Sequence, residues 1–272
     1  MDFNATDSGW VARSHKAIVP FRLVQPQTAT EAAVALSENE RSAVIAGGID
    51  LVRRMRSGEV WKTVIDLSSV DSMRGICAEG DFVRVGALTT HWEIETNPLL
   101  QKLLPEFQDA WKTIGNIRVR MTGTIGGNVM ALDPGYDGRT LLGVLCATLE
   151  FVTKDGEIES VLASNTDWHP PRSAVLKSIV IPVSQGVMLA FDRSLKPAVS
   201  AAVALQGETV RVGIGCAFDT PAFWAGSSEE PIETIIQGFP SAKNNPMGQS
   251  AYRQRMAGVL VRRALLKFRS EN

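Results

Sequence analysis

Two Gly-Gly pairs, each closing an apolar stretch, constrain this chain more than any other feature. The first is Ala46-Gly47-Gly48-Ile49-Asp50; the second is Gly123-Thr124-Ile125-Gly126-Gly127-Asn128, with Asp137 beyond it. Glycine has no Cβ, so the backbone can turn through positive φ and bring bare N–H groups against a ligand. Successive N–H groups in such a turn form a concave anion site. One turn of this kind is more often structural. Two of them, each trailed by Asp or Asn, match a ligand with two phosphates.

Composition bounds what such a ligand serves. At 272 residues the chain exceeds the usual single-domain size, so two domains are expected. An apolar fraction of 44% with 21% charged residues is ordinary for a globular protein. A net charge of −1 argues against a nucleic-acid or membrane-surface role, which needs a basic face. No apolar run approaches the roughly 18 residues that would suggest membrane insertion. Residues 1–14 carry Asp2, Asn4, Asp7 and Ser8 without an apolar segment, so no secretory signal is read there and a cytoplasmic location is expected. Cys77, Cys146 and Cys216 are scattered, which fits a reducing compartment and small buried roles. They cannot supply the four thiolates of an iron–sulfur cluster. His15, His91 and His169 lack ligand spacing, so no metal site is expected.

The pattern along the chain divides it. Residues 1–17 read as an arm. Within 18–70, strands at 21–23, 43–46 and 63–67 alternate with helices at 31–36 (capped by Thr28 or Thr30) and 51–55, a parallel βαβαβ lobe. Residues 71–183 read as a second lobe. It opens with a hairpin around Glu79-Gly80-Asp81. Thr90 with Glu93 forms a capping-box pattern, which makes His91 a first-turn surface residue. A helix is expected over 103–111, and Arg118 and Arg120 alternate as on a strand face. A helix at 140–147 and strands at 149–153, 158–162 and 179–182 complete this lobe. From 184 to 272, strands at 187–191, 199–205 and 209–216 and helices at 232–236 and 252–268 make a smaller α+β unit. The last helix has Met256, Leu260, Ala264 and Phe268 on one face. There is no Walker A sequence and no G-x-G-x-x-G, so a P-loop or standard Rossmann site is not expected.

Ala46-Gly47-Gly48-Ile49-Asp50-Leu51, then Ile114-Gly115-Asn116-Ile117-Arg118-Val119-Arg120, then residues 123–128 with Asp133-Pro134 and Asp137, follow a known order. They resemble the FAD-binding medium subunits of the molybdenum hydroxylases, the xanthine dehydrogenase and carbon monoxide dehydrogenase family. Tyr252-Arg253 and Val259-Leu260-Val261-Arg262-Arg263-Ala264-Leu265 resemble that family's closing helix. The resemblance implies an α+β, two-lobed FAD-binding fold of the PCMH (vanillyl-alcohol oxidase-like) type with a smaller C-terminal α+β domain. By carry-over, Ala46, Gly47, Gly48, Ile49, Asp50 and Leu51 hold the pyrophosphate on backbone amides at a helix N-terminus. Thr124, Ile125, Gly126, Gly127 and Asn128 do so from a second side, with the Thr124 hydroxyl turned to the phosphates. Asp137 accepts from the adenosine ribose, and Ile114 and Gly115 approach with apolar surface. Leu176, Phe191 and Arg193 match positions near the isoalloxazine, Arg193 bringing positive charge to its N1–C2 edge. Ile49 stands where the family usually has Thr, Gln or His, and Met121 where it has Asn. Arg120 is read as structural.

The implied function is an electron-transferring flavoprotein subunit with non-covalent FAD. A molybdopterin-binding large subunit would oxidise the substrate, and a small [2Fe-2S] subunit would relay electrons here, in a heterotrimer or its dimer. Trp10, Trp61 and Trp92 are candidates for a partner-facing surface. No acid–base pair or nucleophile stands out, as expected of a chain that moves electrons. The alternatives are a free-standing FAD oxidoreductase of the same fold and a scaffold that has lost its cofactor.

Overall fold

The computed structural model describes residues 17–270 apart from 168, 170, 172, 185, 195 and 196; the arm and Trp10 lie outside these residues, save position 17. Strands β1 (Arg22–Val24), β2 (Ser42–Ile45) and β3 (Thr63–Asp66) form a parallel sheet in the order β1-β3-β2. Parallel neighbours need a crossover. Helices α1 (Ala29–Glu38) and α2 (Ile49–Ser57) supply them, so the expected βαβαβ lobe is present. Thr28, not Thr30, caps α1 by accepting from the Glu31 amide at 3.1 Å.

The second sheet is antiparallel, β4-β5-β8-β6-β7. Its strands are β4 (Ile76–Glu79), β5 (Phe82–Gly86), β6 (Thr148–Thr153), β7 (Ile158–Leu162) and β8 (Ala174–Pro182). Six short helices fill the excursion between β5 and β6: α3 (His91–Thr96), α4 (Pro98–Leu103), α5 (Pro105–Trp111), α6 (Ile117–Thr122), α7 (Ile125–Met130) and α8 (Gly138–Val144). Pro105 explains why the continuous helix expected over 103–111 is absent. Proline has no N–H and disfavours a helical residue before it, so α4 stops and α5 begins at the proline. Arg118 and Arg120 lie on α6 rather than on a strand, because Asn116 caps the amides of Arg118 and Val119 and starts a helical turn.

A meander of β9 (Val187–Arg193), β10 (Ser200–Gln206), β11 (Thr209–Gly215) and β12 (Ala222–Ser227) forms the third sheet, flanked by α9 (Ile232–Gln237) and α10 (Ser250–Ser270). The strand β12 was not expected from sequence. Its alternation is weak, since Phe223 and Trp224 are both half-buried and only Ala225 and Ser227 are exposed, just after Pro221. Period-2 alternation lets β10 serve two cores: Ala202 and Ala204 join the main one, while Ala201 and Val203 face Leu260, Val261 and Ala264 of α10. The main core holds Phe107, Trp111, Phe151 and Leu141, each buried to within 1% of fully. Burial of a side chain of this size contributes about 1.5–3 kcal/mol.

Two expectations about single residues fail. Cys77 is exposed on β4, the edge of its sheet, rather than buried. His91 does start α3 behind the Thr90–Glu93 capping box, but it is 2% exposed. Its ring stacks on Trp111 at 5.3 Å, and its amide donates to Gly123 O at 2.9 Å. The helix start was legible, but the tertiary partner that covers its first turn was not.

Candidate functional site

The three sheets and the α3–α8 excursion enclose a cavity of about 610 Å³, within the roughly 300–1,000 Å³ typical of ligand sites. Both Gly-Gly segments line it, by different means. At the first, Gly48 has φ +73° and caps α2 without a side chain. Gly47 is held so close to the 122–123 backbone that a Cβ would sit 1.9 Å from Thr122 O. The first three amides of a helix have no helical acceptor. Those of Ile49, Asp50 and Leu51 meet no other acceptor among the described residues. These free donors lie at the positive end of a nine-residue helix.

The second pair is not a positive-φ turn. Gly126 and Gly127 sit inside α7, and its amides are already committed. Ile125 N donates to Thr89 O, Gly126 N to Ala87 O and Asn128 N to Thr124 O, each at 2.9 Å. Gly127 N donates to Thr124 Oγ1 at 3.0 Å, so that hydroxyl caps the helix rather than turning freely to a phosphate. What glycine provides here is closeness: a Cβ on Gly126 would lie 2.7 Å from Ala87. The second segment is therefore a wall that can approach a ligand rather than a cradle of spare amides.

Of the residues singled out in the sequence, Ala46, Gly47, Gly48, Ile49, Asp50, Leu51, Ile114, Gly115, Thr124, Gly126, Gly127, Asn128, Asp137, Leu176 and Arg193 line this one cavity. Ile125 and Phe191 do not. Ile125 is fully buried in the main core, and Phe191 packs against that core from β9. Asp50 is not the helix cap. It pairs with Arg53 at 2.5 Å and accepts from the Tyr136 hydroxyl at 3.3 Å, while Arg53 also reaches Asp133 at 3.3 Å. These contacts tie the start of α2 to the 133–136 segment. Arg120 is structural, as read: it pairs with Glu95 at 3.0 Å and donates to Lys112 O at 2.7 Å.

Asp137 and Arg193 stand closer together than the carried-over roles suggest. The carried-over roles put one at the adenosine ribose and the other at the isoalloxazine, at opposite ends of a dinucleotide. In the structure they are an ion pair at 3.5 Å. Asp137 is 2% exposed, and burial pushes its carboxyl above the ordinary range against the opposing pull of Ser200, Arg193 and Cys216. The Cys216 thiol lies 3.6 Å away and is itself pushed up to about 12, chiefly by burial. Arg253 of α10 is buried behind this cluster and donates to Ala198 O at 2.9 Å and to Cys216 O. The closing helix thus buttresses the wall that carries Asp137.

Sequence reasoning missed several cavity residues. His91 lines it with Nδ1 lacking a hydrogen-bond partner among the described residues, and burial, then the Arg120 charge, push its pKa down to about 4. Tyr136, Arg54 and Trp61 also line it. None lies in a glycine motif, and only the fold brings them there.

The chemistry of the donor set fits FAD. Free amides at a helix N-terminus suit a pyrophosphate, apolar walls at Ile114, Leu88 and Leu176 suit flat rings, and a carboxyl–guanidinium pair suits the polar edge of a flavin. Among the described residues no group of three or more His, Cys, Asp or Glu could hold a metal, and no helix is long and apolar enough to cross a membrane.

Comparison with known proteins agrees with this geometry. Residues 19–184 match the family described as the FAD binding domain in molybdopterin dehydrogenase. The glyceraldehyde dehydrogenase medium chain of Sulfolobus acidocaldarius is 24% identical, over 90% of this chain and 96% of that one. The carbon monoxide dehydrogenase medium chain of Afipia carboxidovorans is also 24% identical, over 91% and 97%. Among solved structures, a chain of reconstituted CO dehydrogenase from Oligotropha carboxidovorans superposes with a TM-score of 0.84 at 25% identity, covering 92% of this chain and 98% of that one. The family match spans well over half of the chain: this protein belongs to the family of FAD-binding domains of molybdopterin dehydrogenases, and is an FAD-binding, electron-transferring oxidoreductase subunit of the molybdenum hydroxylase type.

Proposed function

We propose that FAD lies along the cavity with its pyrophosphate at the start of α2 and its isoalloxazine against the Asp137–Arg193 pair. The observation that carries this reading is that the amides of Ile49, Asp50 and Leu51, which line the cavity, meet no acceptor among the described residues, whereas those of Ile125, Gly126, Gly127 and Asn128 are committed. Ile49 contributes only its backbone, since its side chain offers no hydrogen bond. Arg193, with 43% of its side chain exposed, supplies charge to the polar edge of the flavin ring, and Asp137 fixes the guanidinium. Leu176 and Ile114 exclude water from the ring faces. When bound, FAD supplies the two-electron redox chemistry. Residues 18–183 would form most of the binding walls, and 184–272 would bring Arg193 and its buttress.

In this reading electrons reach the chain from a small [2Fe-2S] subunit, fed by a molybdopterin-binding large subunit, in a heterotrimer or its dimer. The relatives' designation as medium chains supports a multi-subunit complex. Exposed Trp92, and Ile117 and Met121 of α6, offer apolar surface for such a partner. A cytoplasmic location fits three unpaired thiols. Two experiments test the reading. A visible flavin spectrum of the purified chain is expected; a colourless protein that takes up no FAD would favour the scaffold. Co-expression with molybdopterin and iron–sulfur subunits should give a complex whose organic substrate bleaches the flavin. Turnover of an organic substrate by the chain alone, with a dye acceptor, would instead establish a free-standing enzyme.

A further inference from the structure

The cavity extends beyond the first turn of α2. It continues along β2, the edge strand of the parallel sheet, where Ser42, Val44, Arg54 and Trp61 line it. An edge strand offers a row of unpaired backbone N–H and C=O groups. Arg54 is fixed there chiefly by Glu59 and Trp61, with Asp50 3.8 Å from its Nη1. Its Nε donates to both Glu59 oxygens at 3.0 Å and its Nη2 to Oε2 at 2.6 Å, a two-point grip that sets the guanidinium plane. Its Cζ lies 4.9 Å from the Trp61 ring centroid, so the indole covers one face of the cation. Trp61 is anchored in turn on a small cluster of Leu51, Met55 and Val64.

Two parts of the cavity lining therefore differ. One has a carboxyl–guanidinium pair for polar atoms in a ring plane; the other has a planar cation on an indole, beside an open strand edge. Nucleobases stack on guanidinium planes and aromatic rings. The rim of adenine carries amino donors and ring-nitrogen acceptors side by side, which complements the alternating groups of a strand edge. We infer that Arg54, held flat by Glu59 and Trp61, is the platform on which the adenine ring stacks, with the edge of β2 reading its rim. This rests on the FAD placement proposed above, and it makes Arg54 and Trp61 the residues that distinguish FAD from FMN.

The test titrates the full chain with FAD, FMN and ADP by calorimetry and flavin fluorescence, in the unaltered form and as Arg54→Met, Arg54→Lys and Trp61→Phe. Arg54→Met should weaken FAD and ADP by roughly 5- to 150-fold, the worth of one stacked base, and leave FMN nearly unchanged. Arg54→Lys keeps the charge but not the plane, and should behave like the methionine variant. Trp61→Phe keeps an aromatic support and should retain most FAD affinity. FAD and FMN weakened in parallel, or full affinity in the lysine variant, would show a phosphate-binding charge and overturn the stacking assignment. Unchanged FAD and ADP affinity in Arg54→Met would overturn it as well. Failure of the unaltered chain to bind either FAD or ADP would bring down the FAD placement itself. Thermal midpoints identify any variant that has lost its fold.

Discussion

A methyl group on Gly47 would sit 1.9 Å from the carbonyl oxygen of Thr122, 2.7 Å from its carbonyl carbon and 3.0 Å from Gly123 Cα. All are backbone atoms, so no rotamer relieves the overlap. Ordinary contact begins near 3.4 Å, so Gly47→Ala requires the two segments to part by about 1.5 Å. A hydrogen bond near 2.9 Å stretched by that much is lost. One such bond to a charged group contributes about 1.5–3 kcal/mol, so FAD affinity should fall roughly 10- to 150-fold. Overpacking should also cost about 1–3 kcal/mol of stability, or about 2–12 °C in Tm for a chain of this size. Gly48→Ala meets nothing closer than 3.6 Å and fails only through its φ of +73°, for about 1–2 kcal/mol. Gly127 is helical, and a Cβ there meets only the Thr124 hydroxyl at 3.0 Å, so Gly127→Ala should be the mildest. Flavin-fluorescence titration and thermal melts of the three variants give the order. The reasoning is refuted if Gly47→Ala binds FAD within threefold of the unaltered chain with the same Tm, or if Gly127→Ala is the worst.

The remaining predictions concern buried titratable groups and the cofactor linkage. His91 is held at about 4, below its ordinary 6.5, so its contribution to stability is full above pH 6.5 and is lost as pH falls from 6.5 through 4. That gap corresponds to about 3 kcal/mol, and His91→Phe should flatten the acid limb of a urea-stability profile by that order; a parallel limb would contradict it. Asp137 is raised instead, so its contribution is present below pH 3.8 and lost as pH rises through its folded value. Asp137→Asn should therefore gain stability relative to the unaltered FAD-free chain as pH approaches neutrality, and a constant difference across the range would rule this out. No His or Cys falls within either Gly-Gly segment, so acid precipitation should release the flavin to the supernatant. Flavin retained on the pellet would show a covalent link.

Local chemistry decides what depends on neighbours in sequence, and that much was legible. The βαβαβ lobe followed from alternating β-rich and helical runs, the hairpin from Glu79-Gly80-Asp81, and the start of α3 from Thr90 and Glu93. The first glycine turn, with Gly48 in the left-handed region, is also a local property. The second was misread because the same dipeptide serves a helix when Thr124 caps it and Ala87 lies against it, and Ala87 is a partner in space only.

The order of the motifs determined the family, since each loop carries its own backbone requirement. Tertiary structure alone decided which amides remain free, because an amide is free only when no distant carbonyl comes within reach. It set Asp137 against Arg193 across 56 residues of chain, and buried His91 under Trp111. It also carried the cavity past α2 to Arg54 and Trp61. Periodicity records which face of an element is buried, but not what buries it. That choice is made by how three sheets pack around one cavity.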